Sequence, residues 1–208
     1  MSDPLKLMIS STVYGVEEVL DRAYTLLTAF GYEVIMSHKG TVPVVSTETA
    51  FDSCLAAVDK CDLFLGIIGP KYGSGKIGND LSITHKEMLR AIELKKPRWF
   101  LAHDQVVFAR RFLMDLGYPT KVEREALELK KGASTLGDLR VIDMYEDATL
   151  EKLPIAERQG NWVQKFDRTD DASVFITAQF SRYQELEQHL KEQFENVAQV
   201  KAQIRGTE

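Results

Sequence analysis

LFLGIIGPKYGSGKIGNDLSITHKE, residues 63–87, joins an apolar run to a glycine-rich loop and then to the start of a helix. Leu63 to Ile68 contains no polar side chain, the pattern of a central parallel strand covered on both faces. Gly69, Gly73, Gly75 and Gly78 follow within ten residues, so the next segment wraps closely or moves. From Thr84 to Leu94 the apolar positions Met88, Leu89 and Ile92 return at helical spacing. Strand, loop and helix make one β-α unit, and its neighbours on either side have the same form.

Upstream, Leu5 to Ile9 reads as a buried strand ending in Ser10, Ser11 and Thr12. Val16, Val19, Leu20, Ala23, Leu26 and Leu27 then predict a helix stopped by Gly31. Tyr32 to Met36 is a second strand, and Glu48 to Lys60 a helix with Phe51, Cys54, Leu55 and Val58 on one face. Downstream, Pro97 introduces a strand from Arg98 to Ala102, and Asp104 to Leu116 a helix. Thr120 to Lys131 is a charged helix or excursion, and Leu139 to Tyr145 is expected as the fifth strand. Such alternation predicts an α/β, Rossmann-like domain over residues 1–150: a five-stranded, mainly parallel sheet in a flavodoxin-like order with helices on both faces. Residues 151–208 are expected to form a polar linker and a long amphipathic helix from Ala172 to Ile204. Ile176, Phe180, Tyr183, Leu186, Leu190, Phe194, Val197, Val200 and Ile204 line one stripe of it. Either the domain covers that stripe or the chain self-associates through it as a homo-oligomer.

The chain has 208 residues, 44% of them hydrophobic and 27% charged, an ordinary globular composition. Its formal net charge of −5 supplies no global positive field, which makes nucleic acid an unexpected partner. No apolar run is long enough to span a bilayer and the start carries no signal pattern, so no membrane association and a cytoplasmic location are expected. Cys54 and Cys61 have neither zinc-ligand nor disulfide-framework spacing and read as buried reduced thiols; no metal site is expected.

In an open parallel sheet, ligands bind outside the carboxyl ends of the strands, where loops converge and helix N-termini present free N–H groups. Ser10 to Tyr14, Ser37 to Thr41, Gly69 to Thr84 and His103 to Asp104 lie there, with Tyr145 to Asp147 as an outer rim. Gly69 and Gly73 permit close backbone approach, Tyr72 offers a ring for stacking, and Lys71 and Lys76 suit phosphate. Neither the GxGxxG fingerprint nor a P-loop is present, so no resident cofactor is indicated. Ser10, Ser11, Thr12, Ser82 and Thr84 are candidate contacts to ribose or phosphate, and His85 and His103 candidate proton-transfer groups. Glu87 is the acidic side chain best placed to stabilise positive charge on a ribose ring. The same residue completes a T-x-x-E capping box with Thr84, and both readings stand.

KLMISSTVYG, CLAAVDKCDLFLGIIGPKYGSG and LSITHKEMLRAIELKKPRWFL occur in that order. With an ISST start, a GIIG-x-x-YG loop and an SIT-x-x-E helix start, residues 5–112 resemble the bacterial domain of unknown function DUF4062. That family is similar in fold to TIR domains and nucleoside 2-deoxyribosyltransferases, and appears in bacterial immunity and signalling proteins. The resemblance implies that Glu87 occupies the place of the ribosyl-directed glutamate of those relatives. It further implies an effector that cleaves or exchanges the N-glycosidic bond of NAD or another nucleotide, in a setting such as antiviral defence. The alternative is a non-catalytic module that senses a nucleotide or binds a partner protein and self-associates.

Overall fold

A computed structural model of the chain describes residues 3–73, 80–133 and 135–182. In chain order these form β1 (Lys6–Ser11), α1 (Glu17–Ala29), β2 (Glu33–Ile35), α2 (Ala50–Lys60), β3 (Leu63–Ile68), α3 (Ile83–Glu93) and β4 (Arg98–His103). They continue as α4 (Asp104–Asp115), α5 (Lys121–Glu125), α6 (Arg140–Ala148), β5 (Val163–Phe166) and α7 (Thr169–Phe180). The strands make one sheet in the order β2-β1-β3-β4-β5, and every neighbouring pair is parallel. This is the doubly wound, flavodoxin-like arrangement expected from the strand and helix alternation.

Alternate residues of each strand feed two separate cores, because side chains on a strand point to opposite faces in turn. On one face Leu7, Ile9, Leu65, Ile67 and Leu101 meet α1 and α7. On the other, Met8, Phe64, Ile68, Phe100 and Ala102 pack with side chains of α2, α3, α4 and α6. At the middle of β3 a side chain on Gly66 would meet the Phe100 ring at 2.6 Å, so the close fit of those aromatic rings requires glycine. Helix α1 ends as its sequence predicts: Gly31 adopts φ +95° and the Tyr32 N–H bonds back to the Leu27 carbonyl at 3.1 Å.

The fifth strand lies elsewhere than expected. Leu139 to Tyr145 is not a strand; Arg140–Ala148 is helix α6. Val141, Met144, Tyr145 and Ala148 stand at steps of three and four, and the buried Asp143 is satisfied by Arg124 at 2.8 Å. The β-branched pair Val141-Ile142 imitates a strand, but the longer period wins. The true β5 is Val163–Phe166, inside the stretch expected to be a linker, and it pairs with β4 from Phe100 to His103. As an edge strand with one neighbour it buries Phe166 and leaves Trp162, just before it, exposed, so its sequence carries little apolar signal. The α/β unit therefore extends past residue 150. Helix α7 covers the start of the expected terminal helix but ends at Phe180, with Ser181 as its C-cap, so the helix expected to run unbroken from Ala172 stops there; Ala172, Phe175, Ile176 and Phe180 are covered by the domain itself. The remainder of that expected helix, from Tyr183 to Ile204, lies outside the described residues. Among the described residues no helix is long and apolar enough to cross a membrane.

Candidate active site at the strand-order reversal

The strand order reverses between β1 and β3, because β1 leads to α1 on one face and β3 leads to α3 on the other. Chains leaving in opposite directions open a crevice at the carboxyl edge, the usual ligand position in such sheets. Ser10, Ser11, Thr12, Gly69, Tyr72, Gly73, Ser82, Thr84 and Glu87 all lie on the segments that border this reversal. Gly75, Lys76 and Gly78 of the expected loop fall outside the described residues.

Glu87 does not cap its helix. The N-cap of α3 is Ser82, whose hydroxyl accepts the His85 N–H at 3.3 Å, which places Glu87 too far along the helix to serve. Its carboxylate instead accepts a hydrogen bond from the Ser10 hydroxyl at 2.5 Å, across 77 residues of sequence. Glu87 is 5% exposed, and burial drives its pKa from an ordinary 4.5 to about 7; the Ser10 hydroxyl and the neighbouring Cys54 thiol only partly oppose this. Cys54, on α2, is pushed up to about 12 by burial and by the Glu87 charge, so it remains a thiol. Serine, glutamate and cysteine thus meet from β1, α3 and α2 on one face of the sheet.

A second polar chain lies beside the first. The Tyr72 hydroxyl and His85 Nδ1 are 2.8 Å apart, and His85 Nε2 is 3.0 Å from Asp147. Asp147 accepts from Nε2–H, which leaves Nδ1 to accept the Tyr72 proton, while the Ser82 N–H approaches the Tyr72 oxygen at 3.4 Å. Burial favours the neutral form of Asp147, yet the His85 hydrogen bond and the Lys152 charge outweigh it and hold the carboxyl below the usual range. Tyr72 is 2% exposed and its ring faces the Arg140 guanidinium at 4.6 Å, so in this structure the ring packs internally and is not presented for stacking on a ligand. Replacing Tyr72 by Phe is expected to cost about 1–2 kcal/mol, since it leaves His85 Nδ1 and the Ser82 N–H without this partner. Urea unfolding of the two proteins measures it.

The other candidates have structural duties. The Ser11 hydroxyl donates to the Ile67 carbonyl at 2.8 Å and ties β1 to β3. Gly69 lets Val16 approach within 3.1 Å of where a side chain would begin. His103 is the N-cap of α4, with Nδ1 accepting the Gln105 N–H, and its ring meets Phe166 rather than Glu87. Gly73, at φ +94°, brings the loop against Thr12 and Thr84. Sequence reasoning left Cys54 and Asp147 without partners, because nothing local links them to Glu87 and His85. Among the described residues no cluster of three or more His, Cys, Asp or Glu is arranged to hold a metal.

Among curated proteins none matches the chain. Residues 6–115 match the family described as Domain of unknown function (DUF4062), a span that takes in Ser10, Cys54, Tyr72 and Glu87. That span is just over half of the chain, and the protein belongs to this family.

Proposed function

We propose that the protein cleaves or exchanges the N-glycosidic bond of NAD or another nucleotide, with Glu87 as the carboxylate that faces the ribosyl centre. One observation carries the reading: a glutamate free of capping duty, buried at the strand-order reversal and held by the Ser10 hydroxyl. A carboxylate in a water-poor site stabilises a developing oxocarbenium cation far more than one in bulk water, and needs no reorganisation when the charge appears. Ser10 fixes the orientation of the group, and Cys54 keeps it from full neutralisation. The resemblance to TIR domains and nucleoside 2-deoxyribosyltransferases, whose glutamate lies at the same point of the fold, supports the assignment.

The full chain is incubated with NAD and with a panel of nucleosides and nucleotides, and free base is followed by chromatography. Base release is the expected result. Because the charged form of Glu87 is the working form, the rate should climb as pH rises through about 7 and level off above it. Absence of release from every compound would return the protein to the sensor reading.

A further inference from the structure

We infer that helix α4 is the face on which two copies of this chain meet, packed in antiparallel sense about a two-fold axis beside Phe112. One side of α4 is committed to the domain: Val106 is buried, Val107 and Leu113 pack on the core, and Arg110 binds Glu146 of α6. The other side carries Phe108, Phe112 and Leu116, which are 64%, 51% and 55% exposed. Four residues apart, they form one ridge along the helix, and the Phe108 and Phe112 rings stack nearly parallel at 5.9 Å. Together they leave roughly 300 Å² of apolar surface open to water, a patch of the size that often serves an interaction. Charge beside the ridge comes from Asp104, Arg111 and Asp115. Asp104 is held by Lys165 of β5 at 3.0 Å, whereas the exposed Arg111 and Asp115 have no ion-pair partner among the described residues.

The pattern along the helix selects a second copy as the occupant. In an antiparallel pair related by a two-fold axis, a residue before the axis faces the residue equally far beyond it on the other copy. Phe108 and Leu116 are equidistant from Phe112, so an axis there brings each Phe108 to the other copy's Leu116 and the two Phe112 rings to each other. Arg111 and Asp115 are equidistant from Leu113, only about 1.5 Å further along, so each Arg111 comes within reach of the other copy's Asp115. Apolar contact and charge pairing therefore agree on one register, and ridges of this kind interdigitate between helices. A surface of single sign, such as an anionic membrane or a nucleic acid, would gain from Arg111 and lose as much from Asp115. The buried area, about 1,000 Å² in total with its polar margin, is that of a weak, reversible dimer. Because α4 runs from the carboxyl edge of the sheet to the opposite edge, the antiparallel pair points the two candidate sites away from each other, and each is complete within one copy.

Sedimentation velocity on the full chain across the micromolar range tests this. The weight-average mass is expected to rise with concentration from one chain toward two. Phe112→Glu should leave a monomer at every concentration with its fold intact by circular dichroism, since the ring it removes is half exposed. Arg111→Asp and Asp115→Arg should each weaken the dimer about tenfold, because symmetry turns two attractions into two repulsions. The double variant, which exchanges the two charges, should return to wild-type affinity; a merely local role for either residue would not produce that recovery. A monomer throughout would overturn the inference, as would an oligomer that survives Phe112→Glu, which would place self-association on another surface. Single variants with unchanged affinity, or a double variant no tighter than the singles, would overturn the antiparallel register.

Discussion

Glu87→Gln is expected to lower base release at least a hundredfold and, in the same protein, to make the folded state harder to unfold above pH 7. The first effect follows from removing the negative charge that stabilises the cationic transition state while keeping the side chain's shape; loss of one such electrostatic stabiliser is worth roughly a hundredfold or more. The second follows from linkage. Between its ordinary pKa of 4.5 and its folded value of about 7, Glu87 holds a proton in the folded protein and none in the unfolded chain. Stability attributable to this group is therefore greatest at low pH and declines as pH rises through that window, by a total on the order of 3 kcal/mol. Glutamine does not titrate and still offers an oxygen to the Ser10 hydroxyl, so the variant should lack this decline. Urea midpoints at pH 5 and pH 8 test it: the two proteins should be similar at the lower pH and separate at the higher. A variant less stable than wild type at pH 8 would mean that the carboxylate is a structural anchor, which is incompatible with a desolvated working group.

Phe180→Ala is expected to destabilise the domain by about 3–5 kcal/mol, the range for deleting a fully buried aromatic ring. Phe180 has no exposed surface, and its ring meets Trp99 at 4.8 Å and Tyr32 at 5.9 Å between centroids. Its carbonyl also accepts the Tyr32 hydroxyl. The residue lies well beyond the boundary that the sequence pattern suggests at residue 150, so the experiment decides whether α7 is part of the domain or an appendage. An appendage would lose little. For the same reason, truncation before Ala172 should leave a chain that does not fold, since it strips Ala172, Phe175, Ile176 and Phe180 from one face of the sheet. Circular dichroism and denaturant titration are sufficient readouts for both.

What was legible in the sequence depended on how a residue's environment is encoded. Leu63 to Ile68 is buried at every position, and an uninterrupted apolar run has few other meanings. Gly31 announces a helix end through local geometry, which a short window contains. Val163–Phe166 had no such mark, because an edge strand half open to solvent needs only one or two apolar side chains. The helix over Arg140–Ala148 was obscured by two β-branched residues at its start, although the spacing of Val141, Met144, Tyr145 and Ala148 is helical. For the site, Glu87 and Ser10 were each identifiable by position at the working edge, but their mutual hydrogen bond spans 77 residues and exists only once the sheet has formed. The Thr84 and Glu87 spacing pointed to a capping box, and Ser82, two residues earlier, took the cap and released the glutamate.

The lateness of β5 and α7 in the chain bears on how the protein is made. During synthesis the first four strands and their helices emerge first, and Leu65, Ile67 and Leu101 then present an apolar surface that α7 has yet to cover. At ordinary elongation rates the residues from the end of β4 to the end of α7 take roughly four to fifteen seconds to add, long compared with collapse of the segments already free. The nascent chain is therefore sticky for that interval and cannot lock its native packing early. Chaperone dependence should therefore be concentrated in the seconds before α7 arrives.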